Sequence, residues 1–274
     1  MLEMFAAMPS NPFLLRALVV GILVSLCAAL LGVTLVLKRY SMIGDGLSHV
    51  GFGALAVASV MNIAPMAVAI PVVVAVAFIL LRLSGNGKIK GDAAIALLST
   101  GALAIGVMAT SLAGTNSDLE SYLFGSISAV SGEDVVISVI LAAAVIAMFV
   151  FFYTKIFAIT FDESFAKATG TNVGAYNMLI ALLTALTIVI GMRLMGSMLI
   201  SSLIIFPALC AMRVFKSFRT VTICSAIISV VTFVAGMTIS FVFDTPCGAS
   251  IVCVNIAVFA VFFLAGALLG RSRK

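Results

Sequence analysis

The run Gly44-Asp45-Gly46-Leu47-Ser48-His49-Val50-Gly51-Phe52-Gly53 carries the only histidine of the chain, four residues after an aspartate, inside a sequence built for lipid. Whether it opens a full membrane span or a re-entrant turn decides between nine crossings and eight. On a helix, an i, i+4 pair shares one face, one turn apart. An imidazole and a carboxylate so placed can bind one divalent cation from the same side. Ionisable groups at membrane depth are costly, so they pair with one another or line a polar pathway. The plainer alternative makes Asp45 the cap of this helix and His49 a packed histidine bonded to backbone.

Composition settles the class. Of 274 residues, 64% are hydrophobic and 9% charged, with a mean hydropathy of +1.33. Soluble domains carry about 25% charged residues, so this is an all-α, polytopic helical membrane protein. Nearly all of the length is needed to cross the bilayer, which predicts one transmembrane domain over residues 1–274. The net charge of +5 is a topology signal, not a mark of nucleic-acid binding, because the cations cluster between apolar spans. Five cysteines without CxxC spacing read as small packing residues; Cys247 stands apart in a polar loop. The segment Met1 to Asn11 lacks the basic start of a cleavable signal, so the first span is expected to stay as an anchor.

Apolar runs recur at Phe13–Leu37, Leu47–Met61, Met66–Leu83, Ala93–Leu112, Val135–Tyr153, Val173–Met192, Leu194–Met212, Val221–Phe243 and Ile251–Leu269. With nine spans and the N-terminus outside, the inner side receives Lys38, Arg39, Arg82, Lys88, Lys90, Lys155, Lys167, Arg213, Lys216, Arg219, Arg271, Arg273 and Lys274. Only Arg16 and Arg193 fall outside, together with the acids Glu3, Asp118, Glu120, Glu133, Asp134 and Asp244. The positive-inside bias therefore places the C-terminus in the cytoplasm. Nine simple spans leave Asp45 and His49 in the inner half. The glycines at 44, 46, 51 and 53 would permit a broken second helix that carries the pair nearer the midplane, where transporters hold substrates.

A second stretch, Phe161-Asp162-Glu163-Ser164-Phe165-Ala166-Lys167-Ala168-Thr169-Gly170, falls on the cytoplasmic side, within a segment of about 160–172. It can form a short helix closed by glycine. Phe161 and Phe165, at i and i+4, would leave an apolar patch that suits either a partner protein or lipid headgroups. Gly196 to Pro207 places small and hydroxyl residues in a span, as close helix packing requires, while Pro207 is also able to open the backbone. Asp244 and Pro246 form either an ordinary turn or an entrance that attracts cations. No G-x-x-x-x-G-K-[ST] occurs, so nucleotide hydrolysis would come from another polypeptide. No HExxH occurs either.

Taken together, the motifs resemble those of the ABC-type manganese/zinc permeases. Lys38 to His49 resembles their "L-R-R-x-S-L-[IL]-G-D-A-[IL]-S-H" region, and Asp162 to Gly170 their cytoplasmic coupling region. Gly196 to Pro207 and Asp244 to Val252 match two further motifs in the same order. The resemblance implies a homodimer of permeases on a pair of ATP-binding cassette ATPase subunits in the plasma or inner membrane, fed by an extracytoplasmic metal-binding protein. It implies a transporter subunit, not an enzyme, with no permanently bound cofactor and Zn²⁺ or Mn²⁺ as cargo. Asp45 and His49 would be pathway ligands, with water, backbone carbonyls or Ser48 completing the shell. Asp162, Glu163, Phe165, Ala166 and Gly170 would couple to the ATPase, and Asp118, Glu120 and Asp244 would lie at the outer entrance. The chain departs from the pattern at Gly46, where alanine or threonine is usual, and at Cys247, where proline or serine is usual; a thiol there would favour Zn²⁺. The competing readings are a gradient-driven metal carrier, an importer of metal chelates, and an intramembrane enzyme using Asp45 and His49 as acid and base.

Overall fold

The computed structural model describes residues 12–85, 91–114 and 132–271. Regular structure among them is wholly helical: α1 Pro12–Leu37, α2 Ile43–Val60, α3 Pro65–Gly85, α4 Gly91–Ala113, α5 Gly132–Phe151, α6 Tyr153–Phe161, α7 Glu163–Ala168, α8 Val173–Met195, α9 Ser197–Val214, α10 Phe218–Phe243 and α11 Cys247–Arg271. All but the short α6 and α7 are long and apolar enough to cross a membrane, which makes nine such helices among the described residues. Leu97, Met108, Ile140, Val231 and Leu264 are exposed on the outside of the bundle. A bilayer, not water, is the solvent for such a surface.

Helix ends follow from local chemistry. Arg39 closes α1 with a left-handed φ of +64°. Its N–H donates to the Val36 carbonyl at 3.1 Å and that of Tyr40 to the Leu35 carbonyl at 2.8 Å, the paired bonds of a Schellman turn. α8 and α9 are separated by Gly196 alone, at φ +85° and ψ 159°, backbone that only glycine adopts without strain. The apolar run expected from Leu194 therefore joins α8 for two residues, and the corner falls at Gly196.

Two helices act as pillars. α1 packs against α5, α8, α9 and α10, and 72% of its apolar window is buried, against 11% for α11. Lipid tails are as apolar as leucine, so close contact and interhelical hydrogen bonds hold such a bundle together. Ser229 Oγ donates to the Ser25 carbonyl at 2.9 Å and Ser225 Oγ to that of Ala29 at 3.4 Å, tying α10 to α1.

α2 is the second pillar, surrounded by α3, α4, α8 and α9. It runs unbroken from Ile43 to Val60, so it is not hinged, and it is long and apolar enough to cross a membrane. Its glycines are packing sites. A Cβ at Gly53 would collide with the Ala102 carbonyl of α4, and one at Gly51 would come within 2.7 Å of Met192 Cε on α8. The helix also begins four residues earlier than the apolar run, which puts Asp45 in its first turn.

Direct contacts bring the loops between helices to one end of the bundle. Lys38, just past α1, meets Glu163 of α7 at 2.7 Å. Phe161 of α6 meets Phe218 of α10 with ring centroids 6.1 Å apart. This end also holds Arg39, Lys155, Lys167, Arg213, Lys216 and Arg219, and it is the basic end.

Candidate metal pair and coupling helix

Asp45 and His49 lie one turn apart on α2, within the first seven of its eighteen residues and toward the basic end. His49 Nε2 stands 3.6 Å from Asp45 Oδ2, and both side chains are partly open, at 27% and 43%. At 3.6 Å this is not a hydrogen bond. Two ligands each about 2.1 Å from a shared zinc ion stand about 3.0 Å apart across a right angle and about 3.4 Å across a tetrahedral one. The observed gap is within a few tenths of an ångström of that spacing, and the two atoms face the same space.

The plainer alternative loses both of its supports. Met42, not Asp45, occupies the cap position of α2, with no side-chain cap bond. His49 Nδ1 is buried and has no hydrogen-bond partner among the described residues, so backbone does not hold the ring. The structure thus brings the two residues together as the spacing predicted. Ser48 differs: it is fully buried and its hydroxyl donates to the Asp45 carbonyl at 2.7 Å, whereas the pair's own face is open. No third His, Cys, Asp or Glu joins the two among the described residues. The described residues supply two candidate ligands at this place.

The segment expected to couple is built from the α6–α7 junction. Asp162 breaks the helix with an extended backbone and caps α7, its carboxylate accepting from the Ser164 and Phe165 amides at 2.9 Å each. Gly170, at φ +78°, closes the helix, with the Thr171 amide reaching back to the Ala166 carbonyl at 3.0 Å. Ala166 is fully buried with Ile159 and Val173; it anchors α7, while Asp162, Glu163, Phe165 and Gly170 stay exposed. Phe161 and Phe165 do not share one short helix as the spacing suggested. Phe161 ends α6, touching Phe157 and the edge of Phe218, and Phe165 lies on α7; both stay exposed, at 59% and 60%.

Sequence reasoning missed the inner side of this helix. Lys38 Nζ donates to Glu163 Oε1 at 2.7 Å and to Asn177 Oδ1 of α8 at 2.6 Å, and Asn177 Nδ2 donates to Glu163 Oε1 at 3.0 Å. Burial raises the Glu163 carboxyl pKa, but the bonds from Lys38 and Asn177 and the charges of Lys38 and Lys167 outweigh it. The net effect holds that pKa below the usual carboxylate range.

At the far end, Asp244 is exposed and caps α10 in a left-handed conformation, φ 51°. Asp118 and Glu120, expected beside it, lie outside the described residues. Cys247 is not in the loop; it begins α11, half-buried against the core.

Nine helices long and apolar enough to cross a bilayer among the described residues, with an aspartate–histidine pair on one of them, describe a polytopic membrane protein. The chain belongs to the ABC 3 transport family, whose model matches residues 10–266. It is 31% identical over 254 residues, 92% of this chain and 91% of the relative, to the manganese import system permease protein ScaB of Streptococcus gordonii. It is 27% identical over 249 residues, 90% and 95% of the two chains, to the high-affinity zinc uptake system membrane protein ZnuB of Haemophilus influenzae. Among solved structures, PsaBC from Streptococcus pneumoniae in complex with Fab superposes with a TM-score of 0.84 at 30% identity, covering 95% of this chain and 94% of that one.

Proposed function

We propose that this chain, as one transmembrane domain over 1–274, is the permease subunit of an ATP-driven importer of a divalent transition-metal ion, zinc or manganese. The observation that carries this reading is the pair Asp45 Oδ2 and His49 Nε2, 3.6 Å apart on one open face of a crossing helix. Relatives named for manganese import and zinc uptake support the cargo class. Two protein ligands suit passage better than storage, because a closed four-ligand site binds too tightly to release its ion.

The basic end faces the cytoplasm, as the positive-inside bias requires, and the C-terminus with it. ATPase subunits dock there against α7, through Asp162, Glu163, Phe165 and Gly170, with Ala166 holding the helix to the bundle. A metal-binding protein delivers the ion at the opposite end, near Asp118, Glu120 and Asp244, and a second permease copy completes the pathway. Closure of the ATPases moves α7 and turns the pair from outward to inward access.

The experiment is uptake of Zn²⁺ and Mn²⁺ by proteoliposomes containing the permease, its ATPase and its binding protein, with ATP and without. ATP-dependent uptake lost in Asp45→Ala and His49→Ala, with the complex still assembled, is the expected result. Uptake surviving both substitutions would remove the pair from the pathway, and uptake indifferent to ATP would make the protein a gradient-driven carrier.

A further inference from the structure

The Lys38 side chain is only 9% exposed, and its ammonium donates to Glu163 of α7 and to Asn177 of α8. With the bond from Asn177 to Glu163 these form a closed triangle. A largely covered charge is held by its charge-assisted bonds, so movement of α7 pulls on Lys38 through Glu163. Lys38 is also joined to α2 by a short, hydrogen-bonded connector. The Arg39 and Tyr40 amides bond back to α1, and the Ile43 amide bonds the Tyr40 carbonyl at 3.0 Å. Asp45 follows two residues later. A small cavity of about 30 Å³ is bordered by Lys38, Tyr40, Ile43, Ile95 and Asn177, so the connector is not tightly packed on that side.

We infer that the Lys38–Glu163–Asn177 triangle is the transmission between the ATPase-facing helix and the metal pair, with Lys38 as the residue that positions Asp45 according to where α7 stands. The inference rests on the importer reading above and adds its mechanical link. The triangle lies at the edge of the bundle, so Glu163 bonds to the permease's own helices while its outer side stays exposed. Asn177 accepts from Lys38 at Oδ1 and donates to Glu163 from Nδ2, so it holds both charged partners at once.

Coupling between two sites is reciprocal: if α7 sets the position of Asp45, then metal at the pair must alter α7. The test uses the full-length permease in lipid nanodiscs, with Zn²⁺ and Mn²⁺ as probes. Metal binding is measured first by calorimetry, and then hydrogen exchange of the 163–170 amides is followed with and without metal. In the intact protein, metal should change their exchange about fivefold or more, the low end of ordinary site-to-site coupling. In Lys38→Met the metal should still bind but the exchange response should vanish, and Lys38→Arg, which keeps charge and donors, should retain it. If Lys38→Met does not fold, Asn177→Leu takes its place with the same expectation. Metal bound with no response in the intact protein, or an equal response in the variant, overturns the inference. An intact protein that binds neither metal overturns the importer reading itself, and the link with it, and the calorimetry identifies that case before any exchange is measured.

Discussion

His49 Nε2 faces Asp45 Oδ2 at 3.6 Å across one turn of α2, and the other ring nitrogen of His49 is buried with no hydrogen-bond partner among the described residues. A ring so placed offers one nitrogen to a shared ion. If both residues hold the same ion, their contributions are not additive. Asp45→Ala and His49→Ala should each weaken Zn²⁺ or Mn²⁺ binding by more than the roughly 10–100-fold that loss of an outer-shell partner costs. The double variant should be scarcely worse than the weaker single one. Calorimetric titration of the three variants checks this, and simple additivity would mean two separate sites.

Gly53 predicts a packing effect. A Cβ there collides with the Ala102 carbonyl, whereas one at Gly101 on α4 meets nothing within 4 Å. Gly53→Ala should destabilise by about 1–3 kcal/mol, as overpacking does. Gly101→Ala should be neutral or stabilising by about 0.5–1 kcal/mol, the helix penalty of glycine. Thermal unfolding of the two variants in one detergent decides it, and equal melting temperatures would refute the close approach of α2 and α4.

These contrasts show what the chain made legible. The crossings follow from apolar runs between charges, and the Asp45–His49 pair from a spacing of four in an otherwise apolar helix. The cap at Asp162 and the stop at Gly170 are local chemistry and were equally readable. The Gly44–Gly53 glycines misled because a hinge and a packing stripe use the same residue; only the partners Ala102 and Met192 tell them apart. Lys38 read as a topology charge because its partner, Glu163, is 125 positions away. The inward turn of Ala166 was hidden for a different reason: its partners Ile159 and Val173 are near in sequence but meet it only once α6, α7 and the start of α8 fold against one another.

The Glu163 carboxyl gives a pH signature. Its folded pKa lies below the ordinary value, the balance of burial, which raises it, against the Lys38 and Asn177 bonds and the Lys38 and Lys167 charges, which lower it. A depressed carboxyl stabilises the fold above its unfolded pKa of about 4.3 and loses that contribution as pH falls through the lower folded value. Intact protein should therefore melt higher than Glu163→Gln at neutral pH, and the gap should close as pH drops below about 4. The group is nearly half exposed, so solvent screening keeps the gap modest. A gap that widens with acid would show that the carboxylate is not held in its charged form.

Asp162→Ala removes the acceptor of two amides at 2.9 Å. Loss of such a cap costs about 0.5–2 kcal/mol, and on a six-residue helix it falls on α7 alone. Exchange of the 163–168 amides should speed up while the α1 and α2 amides keep their protection. Loss of protection across the bundle would mean that the cap supports more than α7.

Phe165 separates docking from folding. It is 60% exposed on α7, whereas Phe218, 5% exposed, packs beneath Phe157 and Phe161. An exposed aromatic on a rigid helix is the usual anchor of an interface, and truncating one costs about 2 kcal/mol or more, roughly 30-fold in affinity. Phe165→Ala should therefore melt with the intact permease yet retain far less ATPase subunit on copurification, with metal binding at Asp45 and His49 unchanged. Phe218→Ala should instead lower the melting temperature, because it leaves a cavity under α6. If Phe165→Ala holds the ATPase as firmly as the intact protein does, α7 is not the docking surface, and Phe165 is resting in lipid headgroups.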